Sequence, residues 1–326
     1  MESVSAAVLR AFGLKCRSAV RHRTGFVCAT DQGQKTVIRV SAMPERIWFQ
    51  YSVKEHLCAH GFTQTDRLAL AESGEPYTEL DGELYIVAER LPYREVSFAG
   101  KDEWLRVVQT VARFHFLCRD TDYACAALLP AEEPAALYRK HTDSLNRCRR
   151  RILKNGKYAE FDVLFLRTVD EYLAALAEWY ETAATERYAA LFDEARRRRF
   201  VQHGLLKEGN ILISRQNDVA LTDFSEAALG HYLVDLAALI KRYIKTIGCP
   251  VALSETLAAY DSCNPLCDDA LRALRALLLF PDKYLRLCAS YYDRNRSWTP
   301  GTFITRMETL AQRHAMEKLY ISGFRK

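Results

Sequence analysis

The chain has 326 residues, 49% of them hydrophobic and 27% charged, with a formal net charge of +5. That length suits one large bilobed domain or two small ones. The proportions are those of an ordinary globular chain, and no apolar run approaches the ~20 residues that a membrane-spanning helix needs. The N-terminal stretch MESVSAAVLRAFGLKCRSAVRHR reads as a helix leading into a strand. Glu2 precedes its short apolar run and a clear cleavage site is lacking, so no secretory signal is read. Ser18–Arg21 and Phe26–Thr30 are short β-type runs around a turn at Arg23-Thr24-Gly25. Asp31-Gln32-Gly33-Gln34 signals a hairpin turn, and the β-branched Thr36–Val40 (TVIRV) a strand. Pro44 opens a helix that runs to His60, with Ile47, Tyr51 and Leu57 on a rough apolar face and Gly61 as its end. Tyr77–Leu80, an Asp81-Gly82 turn and Glu83–Ala88 (ELYIVA) form a second hairpin.

Pro92 breaks the chain, and the texture changes. Lys101–Cys118, Pro134–Leu153, Asp162–Ala195 and much of Ser254–Lys326 are helical by periodicity. Strand signals recur in that half near Asn210–Ser214 and Val219–Thr222. The expectation is an α+β protein with a sheet lobe over 1–91 and a helical lobe over 92–326, as in a two-lobed kinase, although many α+β folds share this pattern. The ten cysteines, scattered from Cys16 to Cys288, lack the density of a disulfide scaffold. Cys263 and Cys267 have no second Cys/His pair beside them, so the thiols read as free, mostly buried and kept in a reducing compartment. The basic runs Arg149–Arg151 and Arg196–Arg199 read as solvated helix faces. A nucleic-acid or anionic-surface contact is the alternative, but no zinc-finger or RNA-binding signature accompanies them.

The stretch VQHGLLKEGNILISRQNDVALTDF, Val201–Phe224, carries most of the functional information. His203-Gly204-Leu205, Asn210 and Asp223-Phe224 resemble the HGDxxxxN…DF loop pair of aminoglycoside phosphotransferase-like kinases. His115 in VARFHFL, Gly230 and Asp235-Leu236-Ala237 are similar to other elements of that superfamily. EAALGHYLVDLAALIKRYIK, LLFPDKYLRLCASYYDRNRSW and the terminal EKLYISGF narrow the resemblance to CotS-type spore coat proteins, and the likeness covers nearly the whole chain. It implies a bilobed protein kinase-like fold, with a small antiparallel-sheet N-lobe and a large helical C-lobe carrying the loops 203–210 and 222–224.

The resemblance also implies roles. Asp223 and Asn210 would hold Mg²⁺ on hard oxygen ligands beside ATP. Each also suits a plain turn, where its side chain bonds backbone. His203 would brace the loop and Asp235 would cap backbone amides. Gly25 would let backbone approach the phosphates, and Glu89 to Leu91 would meet the adenine edge or serve only as a linker. Four features depart from the pattern. Leu205 stands where the catalytic Asp accepts the substrate proton, and leucine has no lone pair to offer. Glu208 is a substitute base only if it reaches that position. Arg39 replaces the strand lysine that holds phosphates, with Lys35 as the alternative, and an arginine fork differs from a compact ammonium. The partner glutamate on the helix is ambiguous between Glu45 and Glu55. The phosphate-covering turn has the single glycine Gly25.

The leading reading is therefore a pseudokinase that retains nucleotide and Mg²⁺ binding and acts as a coat component or assembly factor. The resemblance implies cytoplasmic synthesis, a place in the spore coat and other coat proteins as partners; the apolar runs are too short for a membrane partner, and nucleic acid stays a lesser alternative that rests on the Arg runs alone. The alternative is an active ATP-dependent phosphotransferase acting on a protein or a small hydroxylated molecule.

Overall fold

Left-handed turns set the sheet in the first ninety residues. Asp81 (φ 54°) and Gly82 (φ 76°) are both left-handed, the type I′ geometry whose twist matches that of the flanking strands. The computed structural model describes residues 3–22, 25–121, 123, 133–248, 250–292 and 299–324. The turn at Arg23 and Thr24 and the segment 293–298 of the YYDRNRSW motif lie outside the described residues. The strands β1 (Cys16–His22), β2 (Gly25–Thr30), β3 (Gly33–Val40), β4 (Thr78–Leu80) and β5 (Glu83–Glu89) pair antiparallel in the order β1-β2-β3-β5-β4.

Strand alternation gives this sheet two apolar faces. On β3, Val37 packs with Val8, Leu9 and Phe12, from or just after helix α1 (Val4–Ala11), and with Cys28 and Val87. Its neighbour Ile38 packs on the opposite face with Ile86, Ala88 and Ile47 of helix α2 (Pro44–Ala59). Pro44 begins α2 in the first helical turn, where its missing N–H costs nothing. Gly61 (φ 76°) ends it, and the Phe62 N–H closes back on the Leu57 carbonyl at 2.9 Å.

The chain divides into two compact units, Met1–Leu129 with Arg196–Tyr232, and Pro130–Ala195 with Leu233–Lys326. Both loops singled out in the sequence thus belong to the same unit as the sheet. The lobe boundary read at Pro92 marks the switch from strands to helices rather than a division between these units. The first unit also holds α3 (Lys101–Leu117) and the short strands β6 (Arg94–Glu95), β7 (Val201–Gln202), β8 (Ile211–Ile213), β9 (Val219–Leu221) and β10 (Ala228–Leu229). β8 and β9, which answer the strand signals near 210–214 and 219–222, pair antiparallel, and β6 adds to their edge. Val107, Val111 and Phe114 turn the buried stripe of α3 inward.

The second unit is helical. The stretch read as helical over 162–195 is two helices, α5 (Glu160–Ala183) and α6 (Glu186–Arg197), the last two residues of α6 belonging to the first unit. Thr185 separates them: its Oγ accepts the Tyr188 N–H at 3.3 Å and donates to the Thr182 carbonyl at 2.7 Å. Such local bonding makes threonine a helix starter. The other helices are α4 (Pro134–Asn155), α7 (Leu233–Ile247), α8 (Leu253–Asp261), α9 (Asp268–Leu279), α10 (Asp282–Tyr292) and α11 (Pro300–Ile321). Their core is aromatic, with the Tyr172 and Tyr284 rings stacked at 3.6 Å and Phe161 on Tyr291 at 4.0 Å. Tyr320, in the terminal motif, fastens α11 to α8 through Thr256 at 3.0 Å. Among the described residues no helix is long and apolar enough to cross a membrane.

Candidate functional site

Two loops flank the β8–β9 hairpin, one entering β8 and one leaving β9. A β-hairpin brings such ends side by side, and the polar residues then lace them together. His203 is fully buried, and its Nε2 donates to the Thr222 carbonyl at 3.0 Å while its Nδ1 accepts the Leu205 N–H at 3.3 Å. The Asn210 carbonyl accepts both the N–H and the hydroxyl of Thr222, at 2.9 and 3.2 Å. Gly204 (φ 75°) has no room for a side chain, because a Cβ there would stand 2.4 Å from the Glu226 carbonyl oxygen.

Within this lacing, Asn210 donates through Nδ2 to the Leu205 carbonyl at 3.0 Å, which leaves Oδ1 as its ligand atom. Asp223 is left-handed (φ 60°, ψ 68°), and its Oδ1 accepts the Ser225 hydroxyl at 2.7 Å. An amide oxygen and a carboxylate on two laced loops suit a hard, oxygen-seeking cation such as Mg²⁺. Both backbone groups of Leu205 are held, one by His203 and one by Asn210, and its side chain is half-buried. The held position carries an isobutyl group, where the resemblance places a carboxylate. Glu208 opens the one-turn 3-10 helix Glu208–Asn210. Asp235 is buried in the first turn of α7, in the other unit.

The structure does not bring Arg39 to this pair. Arg39 shares the face of β3 with Val37, on the side of α1; its side chain is 57% exposed, and its guanidinium is ion-paired with Glu83 at 3.1 Å. Lys35 lies on that same face and reaches Glu89 at 3.8 Å. The face towards α2 carries Ile38 and Val40, so β3 offers no cation there. Of the two helix glutamates, Glu45 is exposed in the first turn of α2, while Glu55 forms a bidentate pair with Arg67 at 2.6 and 3.0 Å. Gly25 is dictated by the sheet, because a Cβ there would lie 2.0 Å from the Val37 carbonyl oxygen. Along the linker, the Glu89 and Arg90 N–H groups are used by the Arg67 and Gln34 carbonyls at 2.8 and 3.1 Å. Leu91 follows them, and its backbone makes no hydrogen bond among the described residues.

Three residues at the site were not singled out in the sequence. Arg46 of α2 donates to the Ser225 carbonyl at 3.0 Å. Lys54 of α2, 1% exposed, lies 2.7 Å from Asp66 and 5.5 Å from the centre of the Phe224 ring. Asp66 accepts the Asp223 N–H at 3.3 Å. One signal could have found Lys54: it lies seven residues after Ile47 and three after Tyr51, on the apolar face of its own helix. Of the basic runs, Arg150, Arg151, Arg196 and Arg197 are exposed, and the other three make contacts within the fold. Arg198 pairs with Asp120 at 2.6 Å, Arg199 holds the Thr121 and Tyr123 carbonyls at 3.0 Å, and Arg149 pairs with Asp170. The Sγ of Cys267 caps α9 by accepting the Ala270 N–H at 3.4 Å.

A sheet with a helix packed on each face, followed by laced loops carrying His, Asn and Asp-Phe, is a kinase-like fold, and known structures agree. An aminoglycoside phosphotransferase from Alicyclobacillus acidocaldarius subsp. acidocaldarius DSM 446 superposes with a TM-score of 0.85 at 19% identity, over 99% of this chain and 95% of that one. Spectinomycin phosphotransferase APH(9)-Ia, in complex with ADP and spectinomycin, gives 0.61 at 10% identity, over 94% and 95% of the two chains. Amicoumacin kinase hAmiN, in complex with AMP-PNP and Ca²⁺, gives 0.58 at 14% identity, over 93% and 88%. At these identities the likeness establishes the fold alone. No curated protein sequence is detectably similar to the chain. Residues 5–324 match the family described as "Spore coat putative kinase YutH". The chain belongs to that spore coat kinase family, in agreement with the CotS-type resemblance of its sequence.

Proposed function

We infer that the protein is a kinase-fold spore coat component that binds a nucleotide with Mg²⁺ and has lost phosphoryl transfer. One observation carries this reading. The loop 203–210 keeps the hydrogen bonds that would aim a catalytic acid, and leucine stands at the aimed position. Phosphoryl transfer needs the acceptor hydroxyl oriented and its proton received. Without a positioned base the rate falls by ~10²–10⁴. Asn210 and Asp223 would hold the cation, which when bound neutralises phosphate charge, and the Leu91 backbone would meet the adenine edge. The β3 face towards α2 supplies no second positive charge, so binding would lean on the metal.

The test is thermal stability with ATP, with and without Mg²⁺, alongside ATP turnover. Stabilisation that requires Mg²⁺, with turnover at background, is the expected result. An absence of stabilisation by millimolar nucleotide would make the protein a scaffold only. A second reading, an active phosphotransferase on a protein or small hydroxylated substrate, is favoured by the retained Asn210 and Asp223. Substantial wild-type turnover would establish it, and Glu208→Gln would then ask whether Glu208 serves as the base. A fluorescent fusion marking the periphery of the spore would support the coat assignment.

A further inference from the structure

A buried ion pair backs the turn that follows β9. Lys54 Nζ contacts Asp66 twice, at Oδ1 (2.7 Å) and at the carbonyl oxygen (2.8 Å), and it lies over the Phe224 ring. The other Asp66 oxygen, Oδ2, accepts the Asp223 N–H at 3.3 Å. The approach is fixed by backbone. Thr65 bridges Leu221 in parallel, and the Leu221 N–H donates to the Gln64 carbonyl at 3.1 Å. That register carries Asp66 alongside Asp223.

We propose that Lys54 and Asp66 are positioning residues for Asp223, and that they set the direction of its carboxylate towards a bound cation. This rests on the reading of Asn210 and Asp223 as a Mg²⁺ site. Asp223 holds a left-handed backbone, an unfavourable conformation for a residue with a side chain unless its surroundings impose it. Asp66 accepts its N–H, Ser225 holds its carboxylate, and Arg46 anchors the Ser225 carbonyl from the same helix as Lys54. Lys54 provides the counter-charge that lets the Asp66 carboxylate stay in a buried place. Stability alone does not account for the pair, because apolar side chains of similar size serve a core as well or better. Among the described residues no ion pair links β3 to α2, and Ile38 and Ile47 share one apolar cluster there. The charged link from α2 is made to the Asp-Phe turn instead.

Double replacement separates positioning from packing. Lys54→Met and Asp66→Leu singly should each lower the melting temperature, because each strands a buried partner. The combined variant should recover most of that loss. The Mg²⁺ concentration that half-saturates ATP-dependent stabilisation should nevertheless rise by about tenfold or more in it, equivalent to ~1.4 kcal/mol. Hydrogen exchange at the Asp223 amide should accelerate in the same variant. Wild-type Mg²⁺ dependence together with wild-type exchange would overturn the proposal. If the wild type itself shows no Mg²⁺-dependent stabilisation, the nucleotide reading fails alone. The exchange measurement still decides the positioning role: retained protection at Asp223 refutes it and lost protection supports it. Should the double variant not fold, the isosteric Lys54→Met/Asp66→Asn serves. Its expected Mg²⁺ shift is smaller, about threefold, because a neutral acceptor binds the N–H more weakly, and no shift with unchanged exchange overturns the proposal.

Discussion

The loop 203–210 and the strand β3 depart from the kinase pattern in opposite ways. In the loop, leucine stands where the resemblance places an acid, and His203 and Asn210 hold the backbone of Leu205. On β3 a cation is present in the sequence, but strand alternation directs Arg39 to the α1 face and leaves Ile38 towards α2. The first concerns which side chain the loop carries, the second which face of the sheet a side chain occupies. Point substitution can change the former, whereas no conservative change at Arg39 can change the latter, because a one-residue step in a strand exchanges the faces.

The largest effect expected from this contrast is at Leu205. Leu205→Asp places a carboxylate at the held position, and ATP turnover should rise by ~10² or more from background. The half-buried position of Leu205 makes a new carboxylate tolerable there. Stability should be measured in parallel, because a buried, unpartnered carboxylate would take up a proton and fail as a base. A folded, nucleotide-binding Leu205→Asp protein that stays inert would mean that the missing β3 cation limits the reaction as well. The next effect is at Asn210 and Asp223, the proposed metal pair. Asp223→Ala should abolish the Mg²⁺ dependence of stabilisation by nucleotide, worth ~2.7 kcal/mol at a hundredfold excess over Kd. Stabilisation by ATP that survives unchanged in Asp223→Ala would place the cation elsewhere.

The contrast also explains what the sequence could show. His203, Asn210 and Asp223 were legible because a hairpin fixes the spacing of the residues at its two ends, so a linear motif encodes a three-dimensional arrangement. The face of Arg39 was not legible, because a motif match reports a position along the strand and a shift of one residue there decides the face. Lys54 and Asp66 were invisible as partners, since their meeting depends on the parallel bridge of Thr65 to Leu221, two segments far apart in the chain. The strands β6, β7 and β10 have two residues each, too few for a period to show. Helix α7 has a clear apolar stripe in Leu236, Ile240 and Tyr243, but these residues were weighed only as a motif.

Acid should act on the loop-bearing unit through buried His231 and half-buried His56. His231, just after β10, is held at a pKa of about 3, first by burial and then by the nearby charges of His115 and Arg119. His56 of α2 is lowered by burial in the same direction; the bond to the Leu117 carbonyl opposes this, and His60 adds to it. A lowered histidine stays neutral in the folded protein while the unfolded chain takes up a proton near pH ~6.5. Its contribution is therefore complete above that value and is lost as pH falls towards 3, by at most about 1.4 kcal/mol per pH unit for each group. Urea midpoints measured from pH 7 to pH 4 should fall, and His231→Asn should flatten the slope. A slope unchanged in His231→Asn would remove this histidine from the account.

The smallest expected effect is the most direct check on the β3 half of the comparison. Arg39 and Glu83 form an exposed pair, with side chains 57% and 45% accessible, and such pairs contribute ~0–1 kcal/mol because water and salt screen them. Arg39→Ala should therefore shift the urea midpoint only slightly and leave the affinity for nucleotide with Mg²⁺ unchanged, and Arg39→Lys should be indistinguishable from wild type. A marked loss of nucleotide affinity in Arg39→Ala that Arg39→Lys restores would show that the guanidinium reaches the phosphates after all. The strand would then have to present its α1 face to the ligand. In that event Lys35, on the same face and paired with Glu89, should show the same loss when replaced by alanine. Failure of both substitutions to change affinity would leave the metal pair as the principal electrostatic anchor for nucleotide on this fold.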